Sequence, residues 1–148
     1  MNWTLEVVVV PVSDIDRAKT FYADQVGFNV DHDIVINDDV RIVQLTPPGS
    51  EASIVFGAGL SSAPVGSLDG LQLTVADIEA ARDELVSHGV EVSEAFHDAG
   101  GIFHHAGTEG RVPGPDPQRS DYGSFASFSD PEGNGWLIQE IKVRAPGR

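Results

Sequence analysis

The chain contains no cysteine, which rules out disulfide bridges, thiolate metal sites and cysteine nucleophiles and fits a reducing compartment. Basic residues are scarce: nine Lys and Arg stand against 23 Asp and Glu, a net charge of −14. A field of that sign repels nucleic acid and anionic lipid, and no basic cluster relieves it, so neither is an expected partner. Long hydrophobic runs are missing too. The longest aliphatic run, Val7–Val10, falls far short of the ~20 residues a membrane helix needs, and no basic-then-apolar leader opens the sequence. A cytoplasmic location is the expectation. G-x-S-x-G does not occur, and the glycine-rich stretch 57–66 lacks the lysine of a phosphate loop.

What is present is ordinary globular material, 148 residues with 41% hydrophobic and 22% charged side chains, suited to a single domain. An internal repeat organises it. VVVVPVSDIDRAKTFYADQVGFNV (7–30) aligns with GLQLTVADIEAARDELVSHGVEV (70–92), matching Val12, Asp14, Ile15, Ala18 and Gly27 to Val75, Asp77, Ile78, Ala81 and Gly89. Each copy reads as strand, turn, helix, turn, strand. Ser13 or Asp14 and then Asp77 cap the helices, since a short side-chain oxygen accepts the free amides of a first turn. Ile15, Ala18, Phe21 and Tyr22 form one apolar stripe, and Ile78, Ala81 and Leu85 form the other. Gly27 and Gly89 supply left-handed stops. Three further strands follow each helix: about Phe28–Ile36, Val40–Thr46 and Ala52–Phe56, then about Val90–Phe96, Gly123–Ser129 and Gly135–Val143. The copies differ in one place. A turn in the first becomes the stretch His97–Asp121 in the second, rich in glycine and proline and holding three of the five histidines. Long connections of this kind are often lids or binding loops.

Two strand–Asp–helix–Gly modules closing on DPEGNGWLIQEI resemble the vicinal oxygen chelate superfamily, the group of glyoxalases, bleomycin resistance proteins and extradiol dioxygenases. VPVSDIDRAKTFY (10–22) and the DPEGN turn (130–134) carry the resemblance, which spans about residues 4–142. It implies an α+β domain of two tandem βαβββ modules, about 4–60 and about 68–143, with 97–121 inserted in the second. Their strands would curl into a cup with helices on its outer face. The resemblance also implies a homodimer and a ligand held in the cup. Alternation puts Val8, Val10 and Val12 toward one helix and Leu71, Leu73 and Val75 toward the other, leaving Val7, Val9, Pro11, Gly70, Gln72 and Thr74 for the cup.

The metalloenzymes of the group hold a divalent metal with His and Glu from cup-facing strands. The corresponding positions here are Val7, Ser53, Gly70 and Leu137, whose side chains offer a hard cation almost nothing. No cofactor is therefore expected, with His97, His104 and His105 as the alternative ligand set. Glu140 is expected to be an exposed strand residue, and Trp136 a core residue. Binding of a small apolar or aromatic metabolite or drug ranks first, as in resistance proteins that sequester their ligand. Gln44, Gln72, His97, Tyr122 and Gln139 are the expected contacts. The alternative is a glyoxalase- or dioxygenase-like lyase or isomerase, with His97 as acid or base and Tyr122 as a hydrogen-bond donor to a developing oxyanion.

Overall fold

Asp14 starts the first helix: its carboxylate accepts from the backbone N of Arg17 at 3.0 Å. Glu132 reinforces that start, accepting from the backbone N of Ser13 at 2.7 Å and of Asp14 at 3.2 Å, and from the Ser13 hydroxyl. A carboxylate suits this position because the first amides of a helix are unpaired and carry partial positive charge. Helix α1 (Ile15–Thr20) widens into a π-helical turn over Phe21–Val26 and stops at Gly27, whose φ of 92° strains any residue with a Cβ. Phe21 and Tyr22 are buried, and the Tyr22 hydroxyl donates to Asp130 at 2.8 Å.

The structure, a computed structural model, describes residues 1–101 and 104–148. Two units divide the chain: residues 1–69 with 129–135, and residues 70–128 with 136–148. The turn holding DPEGN thus belongs to the first unit, where Asp130 also accepts from the Asn134 side chain at 2.8 Å and Asn134 donates to the Pro11 carbonyl at 3.0 Å.

In the first unit, strand β1 (Val7–Val9) precedes α1, and β2 (Asn29–Asn37), β3 (Val40–Thr46) and β4 (Ser53–Gly57) follow. The sheet order is β1-β4-β3-β2, with β1 parallel to β4. The first strand is shorter than its apolar run. Val10 still donates to the Val55 carbonyl at 2.9 Å, and then Pro11 has no donor to offer. Val10, Val43, Leu45, Ile54 and Phe56 are buried on one face, with the Tyr22 ring 6.0 Å from that of Phe56. Val7, Val9, Gln44, Thr46, Ser53 and Val55 occupy the other.

The second unit repeats the scheme. Strand β5 (Leu71–Val75) leads to helix α2 (Ile78–Ser87), then β6 (Phe96–Asp98), β7 (Arg111–Pro113), β8 (Phe125–Ser129) and β9 (Gly135–Glu140). The order is β5-β9-β8-β6-β7, and β5 is parallel to β9 as β1 is to β4. Asp77 caps α2 through the amides of Glu79 at 3.0 Å and Ala80 at 3.1 Å. The architecture is the expected α+β arrangement of two βαβββ modules.

Three local expectations need correction. The strand over Val90–Phe96 shrinks to one bridge between Val92 and Phe128, because the Ser93 hydroxyl accepts from the Ser127 amide at 3.0 Å where a backbone carbonyl would continue the ladder. The long connection 97–121 is not open loop throughout: β7 pairs with β6, matching Phe96 to Pro113, His97 to Val112 and Asp98 to Arg111. Glu140 is fully buried, accepting from the Ile78 amide at 2.9 Å and from Arg119 at 2.6 and 3.1 Å. Trp136 is a core residue as expected, stacked on Phe128 with centroids 6.0 Å apart. Among the described residues no helix is long and apolar enough to cross a membrane.

Candidate functional site

Strand pairing sorts the second sheet into two faces. Gln72 stands opposite Leu137, Thr74 opposite Gln139, Phe96 opposite Phe125 and Asp98 opposite Arg111, so these side chains share one face. The other face carries Trp136, Ile138 and Glu140, and Glu140 ties it to the start of α2. The first face is therefore the helix-free one.

Its floor is apolar. Phe96, Phe125 and Leu137 form one buried cluster, with the two rings stacked at 5.7 Å. Beside it runs a polar strip. The Gln72 amide donates to the Gln139 side-chain carbonyl, and Gln139 donates to the backbone carbonyl of Tyr122 at 2.9 Å. This chain of bonds satisfies Gln139, which is buried, while Gln72 and Thr74 remain exposed.

In the β6–β7 connection, His104 meets the floor. Ala99 donates to the Gly110 carbonyl at 2.9 Å, closing the hairpin, and the His104 ring lies edge-on to Phe125 at 5.5 Å. Asp98, 5% exposed, organises this tip. It accepts from the Gly100 amide at 2.7 Å, the His105 amide at 3.0 Å and His105 Nδ1 at 2.7 Å. A Cβ on Gly110 would sit 2.6 Å from His105 Nδ1, so glycine is required for the histidine to reach the carboxylate. The His105 hydrogen bond holds the Asp98 carboxyl below the ordinary aspartate range, and Asp98 in turn raises His105. With Nδ1–H committed to Asp98, Nε2 of a neutral His105 is left as the basic nitrogen, and the side chain is half exposed.

The residues singled out from sequence fall in different places. Gln72 and Gln139 come together, and Tyr122 joins them through its backbone carbonyl. The Tyr122 hydroxyl accepts from the Ala145 amide at 2.7 Å. His97 lies between Phe96 and Asp98 in β6, so its side chain leaves the opposite face, where Nδ1 donates to the Gly114 carbonyl at 2.8 Å. Gln44 belongs to the first unit, half-buried on that sheet's helix-free face opposite Val55. The Asp98–His105 pair and Arg111 were missed. Their signal is the D-A-G-G and G-R-V-P segments, which bracket a hairpin and set Asp98 against Arg111.

The four positions where the superfamily's metalloenzymes place ligands do not fit a metal. Val7 stands directly opposite Ser53 in the first sheet, and the Ser53 hydroxyl is bonded to that of Thr46 at 2.6 Å. In the second sheet Leu137 extends the apolar floor, and Gly70 has no side chain. Among the described residues no three His, Asp or Glu side chains gather closely enough to hold an ion.

Duplicated βαβββ modules with parallel first and last strands define the class. The chain belongs to the Glyoxalase/Bleomycin resistance protein/Dioxygenase superfamily, whose model matches residues 4–138. It is 26% identical over 133 residues to the Bacillus subtilis protein YetH, covering 90% of this chain and 94% of that protein. Among solved structures it is similar to TnmS3, an antibiotic binding protein from Streptomyces sp. CB03234, at 30% identity and a TM-score of 0.69, covering 95% of this chain and 98% of that one. A glyoxalase/bleomycin resistance protein from the same strain gives 31% identity and a TM-score of 0.67, covering 93% and 100%.

Proposed function

We propose that this chain is a small-molecule-binding member of its superfamily that holds an apolar or aromatic metabolite or drug, without a metal, against the helix-free face of its second unit. The observation that carries the reading is the composition of that face: an aromatic floor of Phe96 and Phe125, extended by Leu137 and bordered by the Gln72–Gln139 amides. Binding pockets are mostly apolar with a few placed polar groups. The likeness to an antibiotic binding protein supports the same reading. Because Gln72 and Thr74 are exposed while the floor is buried, a ligand enters from the β5 side and lifts the hairpin tip at His104. Absence of a metal follows from the side chains at Val7, Ser53, Gly70 and Leu137. Elemental analysis should find no stoichiometric Fe, Mn, Ni or Zn, and one tightly held metal per chain would overturn that part. A homodimer belongs to the proposal as well, because edge strand β2 leaves Val30, Ile34, Val35 and Ile36 exposed. Light scattering would reject it by reporting a 15.8 kDa species alone at micromolar concentration. A cytoplasmic location completes the proposal.

A second reading, catalysis, rests on the Asp98–His105 pair, a carboxylate-oriented imidazole of the kind that moves protons at neutral pH. An isomerase or lyase acting on the bound metabolite would use His105 Nε2. A thermal-shift screen of aromatic metabolites tests the first reading: a ligand at about 100 times its dissociation constant adds ~2.7 kcal/mol. Hits whose affinity falls at least tenfold (about 1.4 kcal/mol) in Gln72→Ala or Gln139→Ala support it. If hits bind these variants and the wild type equally, the face is wrong. Turnover of a hit, lost in His105→Ala with binding kept, decides for catalysis.

A further inference from the structure

Among the described residues, Arg41 and Arg119 are each held by carboxylates. Arg41 meets Asp16 at 2.6 Å and Asp33 at 2.9 Å, and Arg119 meets Glu140 at 2.6 Å and Glu79 at 3.3 Å. Arg111 is built differently. Its guanidinium lies over the Phe96 ring, 4.0 Å from the centroid. Nη1 donates to the Ser127 hydroxyl at 3.1 Å and Nη2 to the Gly107 carbonyl at 3.2 Å, both neutral acceptors. Nε is buried without a hydrogen-bond partner. Asp98, the residue opposite it across the strands, is committed to His105 and two backbone amides. Among the described residues no carboxylate pairs with Arg111, in a chain where acids outnumber bases 23 to 9.

An unpaired, partly desolvated cation is costly to keep, and a guanidinium does not escape by losing its proton. We propose that Arg111 anchors an acidic oxygen of the ligand, so that the face accepts planar aromatic compounds bearing a carboxylate or a phenolate. The inference rests on the binding reading above and narrows it to a ligand class. Phe96 connects the two halves: it stacks with Phe125 in the floor and supports the guanidinium on its ring. A ring on that floor and an anionic oxygen at Arg111 are thus parts of one small molecule. The acidic exterior gives the feature a further consequence. A protein of net charge −14 repels anions in general, so an anionic ligand is retained only where a cation stands unopposed.

The test compares 2-naphthoate with its neutral counterpart 2-naphthamide by titration calorimetry. The unmodified protein should bind the naphthoate about tenfold more tightly, as a charge-assisted contact implies. Raising NaCl from about 50 to about 500 mM should weaken the naphthoate and leave the amide unchanged. Arg111→Gln should erase the preference while still binding the amide, and Arg111→Lys should keep part of it. Equal affinities in the unmodified protein overturn the anion anchor and leave the binding reading standing. A preference that survives in Arg111→Gln overturns the assignment to Arg111. If neither probe binds at millimolar concentration, the binding reading fails and this inference with it. Should Arg111→Gln not fold, the probe pair and salt series on the unmodified protein decide for or against an anion anchor, and Arg111→Lys tests its assignment.

Discussion

Replacing Arg119 with Met isolates what a buried carboxylate costs when its main partner goes. Glu140 is 0% exposed and accepts from the Ile78 amide at 2.9 Å and from Arg119 Nη2 at 2.6 Å and Nε at 3.1 Å, with Lys142 Nζ 3.6 Å away. Removing one partner of a fully buried pair costs ~3–5 kcal/mol. Here the Arg119 side chain is 35% exposed and Lys142 stays close, so we expect the lower figure of ~2–3 kcal/mol. Urea unfolding followed by fluorescence measures it, because Trp136 is buried and reports on the neighbouring strand whereas Trp3 is 86% exposed. The pH arm has a definite sign. Arg119 first, then the Ile78 amide, hold the Glu140 carboxyl below the ordinary glutamate range against the opposing effect of burial. The unfolded chain therefore takes up the proton first as pH falls. The stability from this group is complete above about pH 4.5 and is lost as pH drops from there through the folded value. Arg119→Met should flatten that acid-side slope. A loss below ~0.5 kcal/mol with an unchanged slope would refute the reasoning, since it would place the carboxylate in contact with water.

Three further perturbations follow from single contacts. Tyr22→Phe removes the hydroxyl that donates to buried Asp130 and should cost ~1.5–3 kcal/mol in urea unfolding, the range for a bond to a charged acceptor. Asp77→Ala strips the cap from α2 and should cost ~1 kcal/mol, whereas Asp77→Asn, which keeps an acceptor, should cost little in the same assay. Asp98→Asn should return the His105 titration, followed by NMR of the ring protons, toward 6.5 from its raised position. The stabilisation from His105 is present below pH 6.5 and is lost as pH rises through the raised value, so that variant should also lose this dependence.

The repeat made most of the fold legible. Asp14 and Asp77 as caps, Gly27 and Gly89 as stops, and the alternation along β1 and β5 all follow from local chemistry that nearby residues decide. What stayed hidden depends on partners distant in sequence. Glu140 reads as an exposed strand carboxylate until Arg119, twenty-one positions earlier, is brought against it. The sequence favours His97 because it stands at the end of an expected strand, at the root of the long connection. Its face, however, was set by the pairing of Phe96 with Phe125, which no local pattern encodes. The Asp98–His105 bond joins residues seven apart in sequence and needs a glycine at position 110 to close, and sequence periodicity does not reach such an arrangement.

The differences between the two copies of the module carry the functional argument further than the similarities do. Both copies pair their first and last strands in parallel, and both fix their helix with a glutamate from the C-terminal part of the chain: Glu132 for α1 and Glu140 for α2. Those shared features have structural causes. The helix-free face of the first copy carries Val7, Val9, Gln44, Ser53 and Val55, and the Ser53 hydroxyl is bonded to that of Thr46, which also donates to Asp31. The second copy has the inserted hairpin, which brings an oriented imidazole, an unopposed guanidinium and a histidine ring onto an aromatic floor. A surface insertion without a role would turn its polar groups to water. This one instead buries Asp98 and leaves the Arg111 Nε without a partner, at a cost of ~1–3 kcal/mol for an unsatisfied buried donor. Stability alone gives no reason to retain that arrangement, whereas recognition of an acidic aromatic ligand does.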